Sequence, residues 1–229
     1  MASWMIHLRV AQQLYQKLGI KQKEEFVLGN IAPDSGVPSE DGTGYVPDAT
    51  ISHFRTIDEN GIKNVHEELF IERYFTDSLR LHYSKEEYAF FFGYLTHLIT
   101  DKIWAREIVY GAKEKKKNLF IANREEFWKT IKKDWYDLDF MYLKENPSFE
   151  AFKIYQNNKK MKNVYLDFFS ENAFLERKSF IIDFYTEGVK NIVEHETYLQ
   201  KEELNHFVDL CVDEIINQCH KYKKELEKR

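Results

Sequence analysis

His97 and Asp101 stand four residues apart in the stretch YAFFFGYLTHLITDKIW, residues 88–104. On an α-helix that spacing is an offset of about 40° and one turn of rise, so an imidazole and a carboxylate leave the same face. Phe90, Phe91, Phe92, Leu95, Leu98, Ile99, Ile103 and Trp104 surround the pair. A helix apolar on most of its sides is central and buried. Burying both polar groups there is costly unless they are paired with each other or bound to a cation. Two arrangements meet that demand: a His–Asp hydrogen bond inside the core, or a divalent metal ion.

Three further residues bear on the choice. His7 lies beside an apolar stripe of Trp4, Ile6, Val10, Leu14 and Leu18, Asp34 follows Pro33, and His53 precedes Phe54. Each has an ordinary reading by itself: a core histidine, a Pro-Asp turn, the start of a helix. Two histidines and two aspartates suffice for a four-coordinate divalent ion, with the fifth group nearby. A buried cation accounts for all five residues at once, whereas separate core contacts would need five separate explanations.

The elements that must position these residues are helical. Ser3 can cap a first helix that runs to Leu18 and stops at Gly19. Further helices are expected over residues 23–29, 62–74, 84–110, 124–144, 148–155, 164–169, 175–198 and 201–228. The one long irregular stretch covers residues 30–60 and holds three of the four prolines. Loops of that length in compact domains are functional or disordered, and Ile31, Ala32, Ile51 and Phe54 anchor this one. Its 35–50 portion, with Gly36, Gly42, Gly44, Pro38 and Pro47, is a candidate lid or pocket wall. The expected fold is all-α: a single-domain, multi-helix bundle over residues 1–229, built around the buried helix that carries HxxxD.

Composition sets the outer limits. Hydrophobic residues make up 43% and aromatics 16%, enough for a substantial core. A net charge of −5 with mixed signs argues against stable nucleic-acid binding, and the Lys113–Lys117 run reads as a solvated segment. Cys211 and Cys219 lie eight apart on one expected helix, about 12 Å between α-carbons. That is too far for a disulfide, and reduced thiols fit a cytoplasmic protein. No apolar run is long enough to span a membrane, and the N-terminus lacks the pattern of a signal peptide. HExxH, a His-Asp dipeptide, paired ExxH, CxxC, a phosphate-cradling GxxxxGK and GxSxG are all missing.

The motifs HLRVAQQL, GNIAPDS, SHF and FFGYLTHLITDKIW, in that order over roughly the first 110 residues, resemble the zinc-dependent phospholipase C and nuclease superfamily. The resemblance implies an all-α fold and zinc ligands at Asp34, His53, His97 and Asp101, with Asp101 bridging to a second metal shared with His7. The chain also departs from that pattern. Secreted members bind zinc through the free amine of a processed N-terminal tryptophan, whereas Trp4 is preceded by three residues, leaving at most its backbone carbonyl as a ligand. Where the family has a second histidine ten residues after the first of the HxxxD pair, this chain has Glu107. The later HxxxE is missing too: His195, His206 and His220 are followed at the fourth position by Leu199, Leu210 and Lys224. A rebuilt third position would draw on Glu107, Asp137 or Asp139.

These readings imply a hydrolase of a phosphate ester, in particular a phosphodiester, acting on a small-molecule substrate through a water activated at one or two zinc ions. Mn, Fe or Ni fit the same donors. Asp34 is the candidate catalytic residue, binding metal and orienting the water. The alternative is a non-catalytic all-α protein that has lost part of a three-metal site and keeps metal, or a small ligand, for structure.

Overall fold

In the computed structural model, residues 1–39, 41–57, 59, 63–192, 198–220 and 222 are described. Three of the expected helices run past these limits, at Ile62, at residues 193–197 (which include His195) and from residue 223 onward.

Helix α1 (Trp4–Leu18) starts where the Ser3 hydroxyl accepts a hydrogen bond from the Ile6 amide, and ends at Gly19, whose φ of 66° is the left-handed conformation glycine adopts freely. Helix α2 (Lys23–Ile31) runs straight into a 3₁₀ turn, Ala32–Asp34, which Pro33 initiates and which delivers Asp34. Helix α6 (Lys85–Trp104) opens with a capping box between Ser84 and Glu87, and every residue from Tyr88 to Asp101 is buried. It is the axis of the molecule, as the sequence predicts.

Two glycines set how closely α2 lies against α6. A β-carbon on Gly29 would come within 2.0 Å of the Phe90 carbonyl oxygen, and one on Gly93 within 2.2 Å of the Phe26 carbonyl oxygen. No larger residue fits at either crossing point. That proximity lets the Asn30 side-chain amide donate to Thr96 Oγ1 at 2.9 Å and brings the Asn30 carbonyl to His97.

Between α2 and α6 the irregular stretch is more ordered than its sequence suggests. It contains a short antiparallel pair, β1 (Val37–Pro38) with β2 (Tyr45–Val46), then helix α3 (Ala49–Ser52), then a second pair, β3 (Arg55–Ile57) with β4 (Lys63–Val65). The strands occupy part of the region where a helix over 62–74 is expected; the helix there is α4 (Glu67–Tyr74). A six-residue helix not evident from the sequence, α5 (Asp77–His82), follows under a Thr76 cap.

After α6 the backbone widens into a π-helical turn, Ala105–Val109, then forms α7 (Tyr110–Lys115) and α8 (Lys117–Ala122). Helices α9 (Arg124–Glu145), α10 (Glu150–Asn157), α11 (Ala173–Lys190) and α12 (Lys201–Gln218) complete the bundle. The expected helix over 164–169 is instead a turn. Asn163 displaces the helical hydrogen bonds there: its side chain donates to the Leu166 and Phe169 carbonyls at 2.7 and 2.8 Å and accepts from the Tyr165 and Leu166 amides. Likewise α11 stops at Lys190 rather than 198, with Asn191 donating back to the Glu187 carbonyl.

Helix α12 is laced to α1 by three polar pairs at four-residue intervals: Arg9 with Asn205 at 2.6 Å, Gln13 with Asp209 at 2.8 Å and Lys17 with Asp213 at 3.1 Å. This fixes the rotation of α1 about its own axis, and so the direction in which His7 points. One contiguous apolar core, dense in Phe, Tyr and Trp, runs through the bundle.

Candidate metal centre

His7, His97 and Asp101 form one group of donors in which the ligand atoms lie within 4.8 Å of one another, and Asp34, His53 and His97 form a second, so His97 belongs to both. Four elements supply them. Helix α1 gives His7, the 3₁₀ turn after α2 gives Asp34, α3 ends at His53, and α6 gives His97 and Asp101.

Asp101 faces two ways. Its Oδ1 lies 3.4 Å from His7 Nε2 and accepts a hydrogen bond from the Ala2 amide at 2.7 Å. Its Oδ2 lies 3.7 Å from His97 Nε2 and 3.8 Å from His53 Nε2. The backbone group that meets Asp101 is thus the amide of Ala2, two residues before Trp4. The His7 and His97 rings stack face to face, 3.7 Å between centroids and 9° from parallel, which brings their edges to one side.

Each imidazole except His7 is oriented from behind. His97 Nδ1 donates to the Asn30 carbonyl at 2.8 Å, leaving Nε2 with its lone pair turned toward the aspartates. His53 Nδ1 lies 2.9 Å from Ser52 Oγ, and its Nε2 3.2 Å from Asp34 Oδ1. The loop carrying His53 is itself pinned to α6, because the Tyr94 hydroxyl donates to the Ser52 carbonyl. Phe54, next in the chain, holds a left-handed φ of 47°, a costly conformation for a bulky residue. Its ring is clamped by edge contacts with Phe70, Tyr74, Tyr94 and Phe168, which hold that conformation in place. Sequence reading passed over Asn30 and Ser52 as participants, although both sit inside the motifs GNIAPDS and SHF.

The electrostatics suit a cation. Burial pushes the His97 imidazolium down, and the neighbouring His7 adds to this, to about 3, so the ring is neutral and able to donate a lone pair. Burial alone would raise the Asp34 carboxyl, but the hydrogen bond with His53 and the surrounding imidazoles hold it at about 2. Burial is likewise overcome at Asp101, where the Met1 amine and the contacts with His7 and His97 keep the carboxyl well below its ordinary range.

The donors are also left wanting. Both nitrogens of His7, Nε2 of His97 and Oδ2 of Asp101 are buried without a hydrogen-bond partner. Four unsatisfied atoms clustered in one place, at several times the usual cost of a single one, are what a metal ion would satisfy. Three imidazoles and two carboxylates with no thiolate match zinc, and equally Mn, Fe or Ni by donor type. Four of the five residues are fully enclosed, while the Asp34 side chain retains 8% exposure, so the centre opens on the Asp34 side.

The other candidates lie apart from these two groups. Glu107 is exposed on the π-helical turn and pairs with Arg106 at 2.5 Å. Asp137 binds Lys133 at 2.6 Å. Asp139 is buried but accepts from the Tyr185 hydroxyl at 3.0 Å, and burial pushes its carboxyl up to about 7 against the pull of the Ser3 and Tyr185 hydroxyls. Among the described residues, none of the three contributes to either donor group.

An all-α bundle with a buried His/Asp cluster on its central helix defines a class of metal-dependent proteins. Within it, the profile of the family described as zinc dependent phospholipase C matches residues 6–225, and the chain belongs to that family. The match extends the resemblance seen in the first 110 residues through α12. Searches of curated proteins and of solved structures find no match. The family and the two donor groups together support a metal-dependent hydrolase of the phospholipase type. Among the described residues, no helix is long and apolar enough to cross a membrane.

Proposed function

We propose that the chain is a zinc-dependent phosphodiesterase whose zinc is held by Asp34, His53, His97 and Asp101, with His7 and Asp101 serving a second ion. The observation that carries this reading is the cluster of partnerless buried donors beneath a single partly exposed carboxylate. Bound there, zinc would supply Lewis-acid polarisation of a phosphoryl oxygen and lower the pKa of water towards about 7. The protein's own residues do the rest. His97 is kept neutral and aimed by Asn30; Asp101 holds two sides of the cluster together; Asp34, ionised through the physiological range, accepts a hydrogen bond from the attacking water and orients it. The β1–β2 hairpin directly after Asp34 forms the pocket wall.

A cytoplasmic location is part of the same proposal, resting on Cys211 and Cys219, which are both buried thiols outside any disulfide. The placement of Glu107 at the surface, paired with Arg106, favours a second reading in which the chain keeps metal without catalysis. One experiment separates the two. Zinc-loaded protein is assayed against phosphomonoesters, phosphodiesters and phospholipids, with chelated protein as control. Diester hydrolysis that disappears on chelation and returns with zinc is expected; bound zinc without turnover on any phosphoester would leave only the non-catalytic reading.

A further inference from the structure

Two hydrogen-bond donors that the metal centre does not use come from α10 and α11. The Tyr155 hydroxyl, on α10, is buried without a partner, and so is Nε of Arg177, on α11. Buried donors without acceptors are rare in native proteins and point to an acceptor that arrives from outside.

Arg177 is also held in an unusual way. Its guanidinium lies 4.9 Å from the Trp4 ring centre, 4.9 Å from that of Phe180 and 5.4 Å from that of Tyr45. Among the described residues it forms no ion pair with a carboxylate, although most other arginines there do, or donate to another polar partner. An aromatic enclosure fixes a guanidinium in place and leaves its edge charge unneutralised. Trp4 lies one turn before His7 on α1, and Tyr45 belongs to the hairpin that follows Asp34. Tyr155 lies within electrostatic reach of both Arg177 and Asp34, and so does Tyr136. Arg177 thus sits against Trp4 of α1 and Tyr45 of the hairpin after Asp34, and the Tyr155 hydroxyl feels the charge of Asp34, the one partly exposed residue of the proposed ligands.

We propose that Arg177 and Tyr155 bind non-bridging oxygens of the substrate phosphate, setting the substrate class as a phosphate ester and holding it over Asp34. This rests on the phosphodiesterase reading, and it assigns a binding role to the second half of the chain, whose described residues contribute to neither donor group. A guanidinium caged by aromatics binds a phosphate as a planar fork, which a lysine at the same place cannot reproduce.

The test uses full-length zinc-loaded protein, with zinc content checked by elemental analysis, and two readouts: calorimetric affinity for inorganic phosphate, and KM and kcat for bis(p-nitrophenyl) phosphate. Arg177→Met should weaken phosphate binding and raise KM by about tenfold or more, as loss of a charge-assisted hydrogen bond does, with zinc content unchanged. Arg177→Lys should recover only part of that loss. Tyr155→Phe removes a hydroxyl that has no partner, so it should lower phosphate affinity while leaving Tm unchanged or higher, the reverse of a structural role. Parent-like phosphate affinity in all three variants, or no phosphate binding by the zinc-loaded parent, would overturn the inference. If the parent hydrolyses the diester and the variants match it, only this inference fails. If the parent binds phosphate through these residues yet hydrolyses nothing, the anion site stands and the phosphodiesterase reading falls.

Discussion

Asp101 carries a disproportionate share of the centre, because one oxygen meets His7 and the Ala2 amide while the other meets His53 and His97. Asp101→Asn keeps the volume and removes the charge, so α6 should pack as before. Diesterase turnover should fall by at least about 10²-fold, as when a principal electrostatic group is removed from an active site. A variant with parent-like activity would place the chemistry elsewhere. His7 gives a finer test: His7→Ala should lower metal stoichiometry by about one ion per chain in elemental analysis, while an unfolded variant with full metal content would make His7 a packing residue. Asp139 makes the opposite kind of prediction. Burial lifts its pKa in the fold to about 7 from the ordinary 3.8, so between these values the folded state holds a proton that the unfolded state releases. Stability from this group is full below about 3.8, falls as pH rises to about 7, and is level beyond. Asp139→Asn should therefore flatten the pH dependence of Tm across that window and gain on the parent above it. Since a tenfold bias between protonation states is worth about 1.4 kcal/mol, the gain should reach at least that size. A steeper profile in the variant would show that Asp139 is ionised in the fold.

Helix α6 does several jobs: Gly93 admits α2, Tyr94 pins the His53 loop, and His97 and Asp101 supply two of the proposed ligands. Gly93→Ala would force α2 outward and draw the Asn30 carbonyl away from His97. Overpacking of this kind costs about 1–3 kcal/mol, and metal affinity, measured by competition with a chromogenic chelator, should fall with it. Loss of stability at unchanged affinity would show that the two are separable. The five proposed ligands, which the structure gathers into two donor groups, could be picked out of the sequence because each sits in a short motif among apolar neighbours. Gly29 and Gly93 could not, since their role depends on the register of one helix against another. The same holds for Tyr155 and Arg177, whose neighbours come from distant parts of the chain. Helix α5 and the 163–169 turn escaped for a local reason: side-chain caps and Asn163 decide them, against the apolar pattern.

At the scale of the whole molecule, the five proposed ligands bring α1, the 3₁₀ turn, α3 and α6 to one point. Metal binding should therefore stabilise the entire first hundred residues. At a free zinc level of about 100 Kd the gain is about 2.7 kcal/mol, or roughly 5–10 °C in Tm for a chain of this size. Chelation that leaves Tm unmoved would count against a buried centre. That the donors His7 and His97 are stacked and sealed, while Asp34 alone reaches the surface, also has a consequence for time rather than affinity. An ion shared by His7 and Asp101, on the enclosed side away from Asp34, has no direct exit and can leave only when the fold opens around it. Its release would then be a clock set by breathing of the bundle, running at the same pace however much chelator waits outside.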